Sequence, residues 1–525
     1  MNLKVIDDKT RKVLFIVSIF IFALLVRLYA AHRLEVINTD STIYLYQAYA
    51  VSKGMWQEAK SCGYPFVSIY PLFVSLFHII IPDWITAGKV VNIVFGLLTL
   101  IPVYLLARRF LSETISLFVL LIFALNPVFV RENVDIMKDT LFWFFNTTGI
   151  YLFVTGFDKR KNLFLFLSAF SYSLGMLARI EGTLFFVASF LFLVVRGRNF
   201  KGLISFGFPI VFLIFIAGIS LFISKDGKSL WDIYFATRLK TFSYIKNPFD
   251  NALTETLKEL DSKAIKSIPP GFFKYVKSHL WILALGILIT KMVSAFFYPF
   301  FLFFIAGLKD LKRRLKSDPL AGYFIFLILV SLVYLYLFTL FTWVMEKRYV
   351  ASMIFPSFII IGWGLENIFL YFREKGIKKD LAIVLCLLLI FTTFFENFKA
   401  RRSDKLPYKE IGEFIRRDAN RKFVKIAGAN VWINFYANYG EELVCPVPDL
   451  IYESLNSAED YKKFINLLRI SGVNYFLWEE GKLKILSYDY LSGFVKEENI
   501  QKLGEWVLQE WKGKKKRLVL FRVDD

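Results

Sequence analysis

The stretch Asn38-Thr39-Asp40-Ser41-Thr42-Ile43-Tyr44 places a carboxylate just past the first apolar run, ahead of Tyr46 and Tyr49. A carboxylate at a bilayer surface is costly to hold without a partner or a task. Asp40 could accept a proton from an attacking hydroxyl as a general base. Equally, Asp40 or Ser41 could cap the helix that follows. A second acidic group stands at Glu132, Asp135 and Asp139. On one helix these positions fall at i, i+3 and i+7, which puts three carboxylates on one face. Such a cluster binds cations, orients a polar acceptor or caps the next helix, and Asp139 suits a helix N-terminus. Cations occupy comparable places. Arg179 follows Gly175-Met176-Leu177-Ala178, with Glu181 two residues on to hold it, and Lys347 and Arg348 precede another apolar run. A guanidinium suits bidentate phosphate binding. The plainer role for each cation is to anchor at lipid headgroups.

The elements that position these residues belong to a membrane protein. The chain has 525 residues, 56% hydrophobic content, 59 Phe and 26 Tyr, and a mean hydropathy of +0.51. That composition exceeds the apolar share of soluble domains. The net charge of +21 does not point to nucleic acid, because Lys and Arg collect in short loops between apolar runs. Eleven runs have the length and character of membrane helices: about 12–31, 85–107, 113–130, 139–157, 162–178, 182–196, 202–224, 280–307, 320–344, 349–371 and 380–397. An inside N-terminus puts Lys9–Lys12, Arg108-Arg109, Lys159–Lys161, Arg196–Lys201, Lys309–Lys316 and Arg373–Lys379 in the cytoplasm, and each is basic. The same orientation sends 32–84, 131–138, 178–182, 225–279, 345–349 and 398–525 outside. All the residues singled out above lie on that outer side. Tyr64 to Ile81 is apolar but punctuated by Pro65, Pro71 and Pro82, which reads as helices lying in the interface.

The expected architecture is therefore a membrane α-helical domain, 1–397, with a soluble extracytoplasmic α/β domain, 398–525. In the tail, Phe423–Ala427, Leu443–Val447, Tyr475–Trp478 and Leu518–Val523 read as strands, and Pro407–Arg417 and Ala458–Ile470 as helices. Cys386 falls within a span, while Cys62 and Cys445 share the outer side, where one bridge could join them. Neither GxGxxG nor GxxxxGK[ST] occurs, and three scattered His form no metal cluster.

Several stretches carry a resemblance. Asp40 with Tyr44, the Tyr64-Pro65 region, Lys138-Asp139-Thr140-Leu141-Phe142-Trp143-Phe144-Phe145, Gly175 to Gly182 with its Arg-x-Glu-Gly, and Lys347-Arg348-Tyr349 resemble membrane glycosyltransferases of the GT-C class. The type is that of the protein O-mannosyltransferases and the lipid A aminoarabinose transferase. The likeness covers about residues 12–370 in order and spacing. It implies transfer of a single sugar from a polyprenyl-phosphate donor to a protein, lipid or glycan acceptor outside the cytoplasm. Asp40 would be general base and Asp139 would orient acceptor or donor. Arg179, Arg348 and Lys347 would hold the donor phosphate, and Tyr44, Tyr64, Glu132, Asp135, Glu181 and Tyr349 would line the substrates. The second outer segment offers Glu132, Asp135 and Asp139, and which one takes the second acidic role stays open. No nucleotide is required, no cofactor is assigned, and a divalent cation is left open. The expected partners are the lipid-linked donor, membrane lipids and an acceptor, with no nucleic acid. A multi-span transporter or flippase of a lipid-linked or anionic solute is the rival reading. Transporters place polar sites near the midplane and show inverted repeats, whereas these charges lie at span ends. A non-catalytic lipid-binding or assembly protein is the third reading, and it makes Asp40 replaceable.

Overall fold

Apolar runs of this length become helices because, in hydrocarbon, each backbone N–H and C=O must be bonded within its own segment. The computed structural model describes residues 8–63, 66–197, 199–223, 275, 278–309, 311–376, 378–428, 430–447, 461–482, 499–509 and 515–523. In chain order its helices begin with α1 (Asp8–His32), α2 (Thr39–Ser52), α3 (Trp56–Ser61), α4 (Tyr70–His78), α5 (Trp84–Phe110), α6 (Glu113–Leu125) and α7 (Pro127–Val134). Next come α8 (Asp139–Asp158), α9 (Asn162–Ala178), α10 (Gly182–Val195), α11 (Phe200–Ile223), α12 (Leu280–Phe296), α13 (Tyr298–Leu308), α14 (Leu311–Ser317) and α15 (Pro319–Thr342). The last are α16 (Lys347–Ile354), α17 (Phe358–Glu374), α18 (Lys379–Phe391), α19 (Thr393–Asn397), α20 (Leu406–Asp418), α21 (Val431–Ala437) and α22 (Tyr461–Ile470). The chain groups into two compact units, Met1–Ala31 with Lys89–Lys399, and His32–Gly88 with Ala400–Asp525.

The first unit is helical. Among the described residues, four helices are long and apolar enough to cross a bilayer: Thr10–His32, Trp84–Phe110, Pro319–Thr342 and Asp380–Asn397. The count reaches seven if each of three bent pairs is one span. Within the described residues each apolar run read from the sequence is largely helical; three of them bend sharply, and 380–397 is interrupted at Thr392 without such a bend. Asn126 interrupts α6–α7, where its side chain accepts from Val128 N at 2.9 Å and Pro127 follows, giving a 47° bend. The run 280–307 is not a straight span: it turns by 104° at Phe297, whose φ is +68°. Pro356 lies in the break between α16 and α17, which bends by 73°, as expected where a ring removes an N–H. Helices α13 and α17 approach closely. A Cβ on Gly307 would lie 2.0 Å from Ile360 O, and one on Gly364 would lie 1.7 Å from Phe303 O. Phenylalanines fill the remaining space, as in the stacked pair Phe129–Phe355 at 4.7 Å.

The second unit joins the first outer segment to the tail. Its sheet has the order β1 (Ile426–Ala427), β2 (Tyr475–Glu479), β4 (Lys515–Val523), β3 (Ile500–Gln509). β1 runs parallel to β2, and the other pairs are antiparallel. Alternation along β2 splits its side chains between two faces. Phe476 and Trp478 pack with Phe464 and Leu468 of α22, while Tyr475 and Leu477 pack with Ile411 and Ile415 of α20 and Ile433 of α21. The expected strand Leu443–Val447 does not form, and Phe423–Ala427 contributes only Ile426–Ala427. α4 is nine residues long, too short to span. Hydrogen bonds sew 32–88 to the tail: Trp432 Nε1 to Ile37 O at 2.8 Å, and Tyr439 Oη to Asp83 Oδ1 at 2.6 Å. Cys62 and Cys445 form a disulfide with Cα atoms 5.7 Å apart. Replacing both with Ser is expected to cost about 2–5 kcal/mol, read as earlier thermal unfolding. An unchanged Tm would mean that the hydrogen bonds alone hold the segment.

Candidate active site

The first unit gathers Asp139, Arg179, Glu181, Arg348 and Tyr349 at helix ends. α7 stops at Val134, and Asp135 is its C-cap with extended backbone, φ −84° and ψ 152°. α8 then starts afresh at Asp139. Glu132, Asp135 and Asp139 therefore do not share one helix face, which corrects the i, i+3, i+7 reading. The cause is the helix that Asn126 and Pro127 start early and that ends before the carboxylates are complete. Asp139 occupies the first turn of α8, where the helix dipole favours its charge. It is 1% exposed.

Arg179 caps α9 with extended backbone, φ −143° and ψ 137°, which swings its side chain away from the helix axis. Its Nη1 donates to Asp139 Oδ1. Its Nη2 and Nε donate to Glu181 Oε1 and Oε2 at 2.5 and 3.2 Å. Glu181 thus holds Arg179 through a bidentate fork. Burial alone would raise the Glu181 carboxyl, but the Arg179 charge and hydrogen bonds outweigh it and bring Glu181 down to about 2. Burial alone would lower Arg179, but Asp139 and Glu181 together raise it well above its ordinary value. The second oxygen of Asp139, Oδ2, is buried with no hydrogen-bond partner among the described residues.

Two guanidinia lie over the Tyr349 ring, Arg179 at 5.0 Å and Arg348 at 5.3 Å from its centroid. Arg348 Nη1 also reaches Met137 Sδ at 3.7 Å, and the charges of Asp139 and Glu132 act on it. Tyr334 of α15 lies near enough for the Glu181 and Arg179 charges to act on it; its apolar setting hid it in the sequence. Lys347 answers to other neighbours, Arg131, Glu396, Lys291 and Lys399. Glu132 and Asp135 contribute backbone carbonyls to the Asn92 amide.

In the second unit, Asp40 lies in the first turn of α2, but it is not the cap. That role belongs to Asn38, whose Oδ1 accepts from Asp40 N at 3.1 Å. Tyr44 is buried and meets the Tyr70 ring edge-on at 5.7 Å. Tyr64 and most of 225–279 lie outside the described residues. Among the described residues, no group of three His, Cys, Asp or Glu could hold a metal ion.

Residues 66–223 match the sequence profile of the family described as dolichyl-phosphate-mannose-protein mannosyltransferase. That stretch contains Asp139, Arg179 and Glu181 and stops short of Arg348. No curated protein sequence matches the chain. Among solved structures the chain is similar to ArnT from Cupriavidus metallidurans in the apo state, at 11% identity and a TM-score of 0.55, over 96% of this chain and 97% of that one. It has the GT-C fold. The same transferase bound to undecaprenyl phosphate aligns at 10% identity and a TM-score of 0.50, again over 96% and 97% of the two chains. The GT-C likeness read from short motifs is thus borne out by the sequence profile over residues 66–223 and in fold along nearly the whole chain.

Proposed function

We propose that this GT-C protein transfers one sugar from a polyprenyl-phosphate donor to an acceptor hydroxyl on the extracytoplasmic face. The acceptor oxygen attacks the anomeric carbon and its proton passes to the Asp40 carboxylate. The bond from carbon to phosphate oxygen breaks, and its electron pair leaves on the polyprenyl phosphate. Arg348 stabilises the departing phosphate, a term that is large where water is excluded. Arg179 has three donors turned to carboxylates, so its part is to fix Asp139 and Glu181. Asp139, with one oxygen turned to Arg179, orients the acceptor or the donor.

The observation that carries this reading is the buried carboxylate–arginine cluster, placed at helix ends in a fold shared with a lipid-phosphate-binding transferase. A donor anchored in the bilayer explains cations at that depth better than a soluble nucleotide does. The Cys62–Cys445 disulfide supports the outward placement of the second unit, since such bonds persist in oxidising compartments. Purified protein is expected to consume a polyprenyl-phosphate sugar and to leave the matching sugar nucleotide untouched. The lipid phosphate is also expected to raise its Tm, because a ligand bound only by the folded state stabilises that state. Efficient transfer from the nucleotide, without a response to the lipid, would remove the reading.

A further inference from the structure

Arg27 sits inside the apolar helix α1 and is 0% exposed. A charge buried at such a place needs a purpose or a partner. Its hydrogen bonds among the described residues all go to neutral acceptors. Nε donates to Asn133 Oδ1 at 2.9 Å, and Nη1 donates to Ala23 O and Ala124 O at 3.0 Å each. The Ala124 carbonyl is one that the α6–α7 break releases, since Val128 N turns to Asn126 Oδ1 instead.

An arginine can only donate. Asn133 must therefore turn its oxygen to Arg27 and its NH2 away. Its Nδ2 donates to Thr140 Oγ1 at 3.2 Å, and the Thr140 hydroxyl donates to Glu132 O at 3.3 Å. The cation fixes the polarity of each step. Gly96 of α5 leaves room for the amide: a Cβ there would lie 2.3 Å from Asn133 Cγ and Oδ1. Also from α5, Asn92 Nδ2 donates to Asp135 O and, at 2.9 Å, to Met137 O. Both ends and the middle of 132–140 are thereby held, and Thr140 is the neighbour of Asp139.

We propose that Arg27, Asn133 and Thr140 form a positioning relay that sets the Asp139 carboxylate against Arg179. All three would act through Asp139, as positioning residues. The inference rests on the reading that Asp139 serves sugar transfer, and its test separates the two. Thr140→Val keeps the shape and removes the hydroxyl. Turnover of the polyprenyl-phosphate sugar is expected to fall about 10²-fold, the scale of a misplaced catalytic group, with the donor KM unchanged. Thr140→Ser is expected to restore most of it, which a loss of packing alone would not allow. A second arm needs no activity. Gly96→Ala displaces the Asn133 amide, and its Tm loss is expected to combine non-additively with that of Asp139→Asn, because both act on one network. Parental turnover in Thr140→Val, or strictly additive Tm losses, would overturn the relay. Non-additive losses in a protein that consumes no lipid donor would keep the relay and remove the sugar-transfer reading.

Discussion

Asp40→Asn is expected to cut sugar transfer by about 10²–10⁴-fold, the range spanned by positioned general bases. The variant keeps the size and shape of the side chain and removes its negative charge and its capacity to take a proton. The substitution leaves the side-chain cap of the helix in place. Asn38, not Asp40, caps α2 through its side chain, so the helix start survives the change. Among the local losses is the favourable placement of a charge in the first turn, about 0.3–1 kcal/mol. Turnover should therefore fall by far more than any change in the folded fraction, read from Tm, accounts for. Near-parental turnover would return Asp40 to its electrostatic role at the helix end and leave the reaction without its base.

The helices of the first unit were legible because burial in hydrocarbon forces long apolar runs into helices, and the basic loops marked where one run ends and the next begins. Their breaks were less legible. Asn126-Pro127, Pro356 and Pro299, two residues after Phe297, carry a local signal that a span of the right length tempts one to read through. That missed break at Asn126 also produced the wrong face for Glu132, Asp135 and Asp139. In the site, Arg179 with Glu181 two residues on was readable as a held guanidinium, and the structure pairs them. The claim of Asp139 on the same guanidinium was not readable, since 40 residues separate the two. Arg27 and Asn92 had a signal that went unused: an ionisable or amide side chain inside an apolar run is a functional candidate by default. The Cys62–Cys445 bridge was legible as a pairing because both lie on one side, but how the outer segment and tail share a unit was not, because that depends on contacts across more than 350 positions.

Arg179→Ala is expected to be the most destabilising single change in the site. It leaves the buried Asp139 and Glu181 carboxylates without the cation that both now bond. Breaking a buried pair from one side typically costs about 3–5 kcal/mol. The cost should depend on pH in a definite direction. Glu181 is held near 2 in the folded parent, against an ordinary value of 4.5. A carboxyl lowered by folding contributes stability that is complete above its unfolded value and is lost as pH falls through its folded value. The parent should therefore lose this contribution only between about pH 4.5 and 2. In the variant, burial without a cation favours the neutral carboxyl, so lowering the pH relieves the penalty. The Tm gap between parent and Arg179→Ala should be widest near neutrality and should narrow as the solution is acidified. Arg179→Lys keeps the charge but cannot span Asp139 and Glu181 with one planar fork, and it should fall between the two. A gap that stays constant with pH, or a variant as stable as the parent, would mean that Arg179 serves as an interfacial anchor and that Asp139 is held by something else.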